Sequence, residues 1–187
     1  MVDEMRVLIA CEFSGIVREA FRARGHDAWS CDLLPTEIPG QHIQDNVLSI
    51  LSGGWDLMIA HPPCTYLASS GARWFSDPYR AIQQDLALNF VSDLIEAPID
   101  RIALENPIGV ISTRIRKPDQ IIQPWEFGHP ETKATCLWLK NLPPLIATAI
   151  CVRREARVHK MRQSPDRWKN RSRTLPGVAK AMAEQWG

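Results

Sequence analysis

From Arg6 to Gly109, short apolar runs alternate with segments whose apolar residues recur at helical spacing. Arg6 to Ala10 predicts a strand, and Val17, Ala20 and Phe21 within Ile16 to Arg24 predict a helix closed by Gly25. His26 to Cys31 predicts a second strand with Asp32 at its end. Leu34 to Gln41, punctuated by Pro35, Pro39 and Gly40, reads as a loop, and Val47 to Leu51 as a short helix or turn entered from Asp45. A third strand, Leu57 to Ala60, follows Gly53 and Gly54. Trp74, Phe75 and Tyr79 cluster in a predicted loop, where aromatic rings either fill the rim of a core, the commoner use, or stack on a base. Arg80 to Glu96 carries Ile82, Leu86, Phe90 and Leu94 four apart, the spacing of an amphipathic helix with one face on a sheet. Arg101 to Glu105 reads as a fourth strand.

This alternation predicts an α/β fold, a single-domain open and mainly parallel sheet flanked by helices. Ser112 to Pro130 is polar and proline-punctuated and reads as irregular, with Trp125 and Phe127 unplaced by any period. Lys133 to Leu139 resumes as a strand that Asn141-Leu-Pro-Pro144 breaks. Ile146 to Val152 reads as a further short strand, and Pro176 to Trp186 as a terminal helix with proline near its start.

Composition narrows the picture. The chain has 187 residues, 45% apolar and 23% charged, which suits one globular domain with a full core. A formal net charge of +1 gives no global nucleic-acid or membrane signal. Residues 151–187 nevertheless hold ten Lys/Arg against three Asp/Glu, either a solvated tail or an electrostatic footprint for phosphate. The five cysteines are scattered without a Cys-x-x-Cys pair, which argues for a reducing compartment and against a disulfide framework or a structural zinc site. No stretch approaches the roughly 18 apolar residues of a membrane span, and the N-terminus lacks a basic region followed by an apolar run. A cytoplasmic protein without membrane or metal partners is expected.

Two strand ends carry candidate chemistry. The apolar run Leu57 to Ala60 stops at His61-Pro62-Pro63-Cys64, which presents a thiol on a constrained loop; the alternative is a rigid turn with a small buried thiol. Arg101 to Glu105 repeats that grammar and ends in Glu105-Asn106-Pro107. In an open sheet the two would deliver Cys64 and Glu105 to the edge where ligands usually sit. The unit strand, Ser14-Gly15 turn, helix, strand and Asp32 has the plan of a nucleotide-type cofactor site, or of an ordinary βαβ unit.

Together these stretches resemble the S-adenosylmethionine-dependent DNA cytosine-C5 methyltransferases. Phe13-Ser14-Gly15 is similar to the family's first cofactor motif, Asp32 stands where its ribose-binding acid stands, and Asp45 where an acid contacts the adenine. His61-Pro62-Pro63-Cys64 resembles the nucleophile motif, and Glu105-Asn106-Pro107 resembles Glu-Asn-Val. Gly128 to Lys133 resembles the segment that reads Gly-x-Pro-Gln-x-Arg-x-Arg, and Arg171 to Ala181 the last motif. The resemblance implies a class I, Rossmann-like methyltransferase domain over 1–150, with the basic segment and terminal helix of 151–187 packed on it. It implies S-adenosyl-L-methionine as cofactor, held by Phe13, Ser14, Gly15, Asp32, Asp45 and Pro63. Catalysis falls to Cys64 and Glu105, and substrate contacts to Asn106, Lys133, Arg171 and Arg173. The chain departs from the family with Val17 and Arg18 in place of further glycines, and with Glu131, Lys133 and Thr135 in place of glutamine and two arginines. Only Lys140 to Asn170 is available for target recognition, as in small phage-type members.

The implied chemistry is addition of the Cys64 thiolate to C6 of cytosine, with Glu105 in its acid form on N3, which makes C5 nucleophilic enough to accept a methyl group. That role calls for a carboxyl whose pKa is raised by partial burial. Three readings follow: methylation of cytosine in single- or double-stranded DNA, with base flipping from a duplex; C5 modification of a free cytosine nucleotide; and a catalytically silent nucleic-acid-binding relative.

Overall fold

The computed structural model describes residues 3–74 and 77–187. The first strand, β1 (Arg6–Ala10), leads through a tight turn into helix α1 (Ile16–Arg22), and the chain returns as β2 (Asp27–Asp32). Asp32 is thus the last residue of its strand. A three-residue edge strand that the apolar pattern did not predict, β3 (His42–Gln44), pairs with β2 before a 3-10 turn at Val47–Ile50 and strand β4 (Leu57–Ala60). After a 3-10 turn at Ser69–Trp74 come helix α2 (Pro78–Ile95), strand β5 (Arg101–Pro107) and the short helix α3 (Ile111–Arg114). The segment read as irregular contains β6 (Gln120–Ile122), which pairs with β7 (Thr135–Lys140). Short helices α4 (Arg157–Lys160) and α5 (Arg167–Ser172) precede the terminal helix α6 (Pro176–Trp186).

Among the described residues seven strands form one sheet in the order β3-β2-β1-β4-β5-β7-β6. The pairs from β3 to β5 are parallel, and β7 runs antiparallel to both β5 and β6. Strand order reverses between β1 and β4, so the ends of β1, β4 and β5 open onto the crevice where such sheets take ligands. The central strands read as continuous apolar runs because both their faces are covered. Val7 and Ile9 face α1 and α6, sharing a core with Val17, Phe21, Val178, Met182 and Trp186. Leu8 and Ala10 point the other way, with Met58, Leu88, Val91 and Leu94.

Two expectations need correcting. Helix α2 packs on the sheet through Gln84, Leu88, Val91 and Leu94, whereas Ile82 and Leu86 are 61% and 57% exposed. The helix is apolar on more than one side, so spacing alone did not select the buried face. Ile146 to Val152 is not a strand: it makes one isolated bridge, Phe127 to Ala149, and Ile146, Ile150 and Val152 are exposed. Of the expected aromatic cluster, Trp74 closes the 3-10 turn, Tyr79 lies exposed in the first turn of α2, and Phe75 lies outside the described residues.

Candidate active site

The ladder between β1 and β4 continues one step past the strand, where the His61 amide donates to the Ala10 carbonyl at 2.9 Å. Pro62 and Pro63 cannot donate, so pairing stops and the chain leaves the sheet with Cys64 exposed. Three contacts hold this loop. The buried Asn106 amide donates to the Pro62 carbonyl at 2.8 Å. The amides of Leu67 and Ala68 close onto the Cys64 carbonyl, and Ser69 and Val110 exchange backbone bonds with Ile108 and Leu67. Gly109 makes the last contact possible, since a Cβ there would lie 2.0 Å from the Leu67 carbonyl oxygen.

Glu105 emerges from the adjacent β5, and its Oε2 lies 2.9 Å from Nδ1 of His61, the two side chains being 12% and 11% exposed. Burial pushes the Glu105 carboxyl up, but the His61 hydrogen bond and charge, the Lys133 ammonium and the Thr174 hydroxyl outweigh it and hold the pKa down to about 2. This corrects the expectation of a raised value: Glu105 is a carboxylate at neutral pH. The Cys64 thiol is pushed up from its ordinary value by desolvation and by Glu105, with Lys133 and Arg171 acting in the opposite sense. Lys133 therefore acts on both catalytic candidates, while its Nζ donates to the Arg171 carbonyl at 3.1 Å. An open cleft beside Glu105 is lined by Glu105, Lys133, Thr135, Thr174 and Leu175; Cys64 is not part of its lining.

A second recess adjoins it, lined by Cys11 to Ser14, His61 and Ser172 to Thr174. His61 and Glu105 thus bridge the two spaces. Cys11 takes φ +59 and Gly15 φ +78, so the chain reverses sharply between β1 and α1. The buried Glu12 carboxylate accepts from the amides of Val17 and Arg18 and from the Ser14 hydroxyl, capping α1. Arg18, fully buried where the family resemblance would have glycine, donates to Ser30, Thr36 and the Ile38 carbonyl and pins the loop after β2 over the turn. Phe13 stands on the recess wall, tilted against Trp168 at 6.0 Å. Asp32 accepts from the Leu34 amide and is pushed up by burial, and Asp45 follows β3, the strand paired with β2. Pro63 is exposed beside Cys64.

Phe13, Ser14, His61 and Arg173 therefore meet at one recess, and Glu105, Lys133 and Thr174 at the next. Asn106 is bound to the Cys64 loop. Arg173 forms a double ion pair with Glu37 at 2.6 and 2.8 Å and stacks toward Phe13, on the recess side. Sequence reasoning assigned no role to His61, Glu12, Gly109 or Thr174. For His61 a signal existed, a titratable residue at the end of an apolar strand, as at Glu105; Thr174 carried none.

No protein-family model matches the chain, and no curated protein matches it. Its structure is similar to a DNA modification methyltransferase encoded within an E. coli prophage, at 16% identity and TM-score 0.50 over 79% of this chain and 52% of that one. It is also similar to the S. pombe Dnmt2 methyltransferase, at 15% and 0.52 over 76% and 51%. The Entamoeba histolytica methyltransferase EhMeth gives 15% and 0.50 over 87% and 61%. The chain shares the fold of these structures. It spans about half to three-fifths of the length of these structures. Among the described residues no helix is long and apolar enough to cross a membrane, and no cluster of His, Cys, Asp and Glu is arranged to hold a metal ion.

Proposed function

We propose that this protein transfers a methyl group from S-adenosyl-L-methionine to C5 of cytosine in DNA through a covalent bond between Cys64 and C6. The observation that carries this reading is the juxtaposition, on neighbouring strand ends of a methyltransferase fold, of an exposed thiol and a buried carboxylate sharing one lysine. The recess beside them suits the cofactor. Its wall has an aromatic ring at Phe13 and a buried nitrogen, His61 Nε2, that has no hydrogen-bond partner among the described residues. Phe13, Ser14, Gly15 and Pro63 would hold it, with Asp32 and Asp45 for its ribose and adenine, and it supplies an electrophilic methyl group at a carbon that is otherwise a poor nucleophile.

Cys64 attacks C6 as thiolate, forming the S–C6 bond while the ring electrons shift toward C5 and N3. Lys133 and Arg171 favour that thiolate against the desolvation that opposes it. A proton at N3, delivered through Glu105, neutralises the developing charge. After C5 is alkylated it loses its proton, the S–C6 bond breaks and the aromatic ring returns. Arg171 supports the flanking phosphates. A second reading, the same chemistry on a free cytosine nucleotide, is favoured by the short stretch from Lys140 to Asn170.

The test is methyl transfer from labelled cofactor to single-stranded DNA, duplex DNA, RNA and cytosine nucleotides, side by side. Cys64→Ser is expected to abolish transfer while leaving cofactor affinity nearly unchanged, since a hydroxyl is far less ionised than a thiol. Equal activity of the two proteins overturns the covalent mechanism. Transfer to nucleotide alone replaces the DNA reading by the second.

A further inference from the structure

We propose that His61 and Glu105 form a proton-sharing dyad, in which His61 positions the Glu105 carboxyl and stores the proton that Glu105 passes to N3 of the target base. The inference rests on the cytosine-C5 reading above. It begins from a conflict within that reading: addition at C6 needs a proton at N3, yet the carboxyl that must supply it is ionised and almost closed to bulk water.

The geometry resolves the conflict. His61 Nδ1 is 2.9 Å from Glu105 Oε2, while His61 Nε2 is buried with no hydrogen-bond partner among the described residues, so Glu105 is what orients the ring. The backbone on which the ring is carried is held on both sides, the His61 amide to β1 and the Pro62 carbonyl to Asn106. The other groups facing the pair do not replace it. Lys133, from the segment before β7, is a point charge whose Nζ is bound to the Arg171 carbonyl. Thr174, before α6, offers only a hydroxyl. Cys64 is the nucleophile. On the recess side Glu12 is consumed in capping α1, and Arg173 is paired with Glu37.

The proton inventory closes. Starting from protonated His61 and the Glu105 carboxylate, the Nδ1 proton moves to Glu105, and the neutral carboxyl so formed gives its O–H proton to N3 as the S–C6 bond forms, so Glu105 ends ionised, His61 neutral and N3 protonated. When that bond breaks, the proton returns by the same path. His61 touches no reacting atom of the base and acts through Glu105.

The experiment uses the full chain with carbon-13 in its glutamate carboxyls, the Glu105 signal being identified by its loss in Glu105→Gln. In the wild type Glu105 is expected to titrate near pH 2, and in His61→Gln at least about one unit higher, because burial remains when the His61 hydrogen bond is gone. In His61→Gln, kcat at neutral pH is expected to fall about 10- to 100-fold with KM for DNA within about threefold. The deficit should shrink as pH falls, since Glu105 then binds its own proton, and His61→Gln combined with Glu105→Gln should be no slower than Glu105→Gln alone. His61→Asn serves if the glutamine variant does not fold. An unmoved Glu105 midpoint, or a deficit independent of pH, overturns the dyad in an enzyme that still methylates cytosine. A wild type that methylates no cytosine, with the Glu105 midpoint still tied to His61, overturns the proposed function instead.

Discussion

At the scale of single residues, the site depends on how a few charges are balanced rather than on any one group. Glu105 experiences two opposed effects of similar origin: leaving water penalises its charge, and the neighbours that burial brings close reward it. The neighbours win for Glu105 and lose for Cys64, where desolvation outweighs Lys133 and Arg171 and the Glu105 carboxylate adds to it. Lys133 is the group common to both. Replacing it by Met is expected to push the Cys64 pKa further up. The pH profile of Cys64 alkylation, followed by peptide mass mapping, should therefore move to higher pH. A profile that stays in place would show that Lys133 does not act on the thiol.

At the scale of elements, the Cys64 loop owes its position to β5 as much as to its own prolines. Gly109 lets the loop backbone approach where a methyl group would meet a carbonyl oxygen. Gly109→Ala is expected to displace the loop and lower turnover on the order of 10²-fold, as small misplacements of reacting groups do. Cofactor binding, measured by calorimetry, should be spared. Helix α2 gives a second case. Leu88 is buried and Leu86, two positions earlier, is not. Leu88→Ala should cost about 2–5 kcal/mol of stability in a denaturant titration, and Leu86→Ser within about 0.5 kcal/mol. A large loss at Leu86 would mean that this face is covered in solution.

At the scale of the whole molecule, the basic C-terminal segment is less positive than its composition suggests. Arg153 and Arg157 pair with Glu155, and Arg157 also pairs with the buried Glu131, so two positive and two negative charges cancel locally. Arg154 instead lies over the Trp125 ring at 3.8 Å, an arrangement that keeps its charge. If single-stranded DNA is the substrate, Arg154→Gln should lower the log–log salt slope of binding by about 0.7, one phosphate's worth. Neutralising Arg153, Arg154 and Arg157 together should fall well short of three times that. A threefold effect, in filter binding over a salt series, would show that the acidic partners do not count.

The sequence by itself determined the alternation of the central strands and helices from β1 to β5, the mainly parallel character of the sheet and the two strand ends that lead to Cys64 and Glu105. The physical reason is that strands buried on both faces must be apolar along their length, so a polar residue that interrupts such a run stands at its end, where the crevice opens. It also held β3 and β6 below notice, because three-residue edge strands are too short to show a period. Only the tertiary structure decided that Glu105 is ionised, that His61 is its partner across 44 positions of chain, that Arg173 faces Phe13 and Glu37, and which side of α2 is inside. Each of these depends on groups brought together from distant parts of the chain. A charge state or a buried face belongs to such a meeting and not to any local stretch.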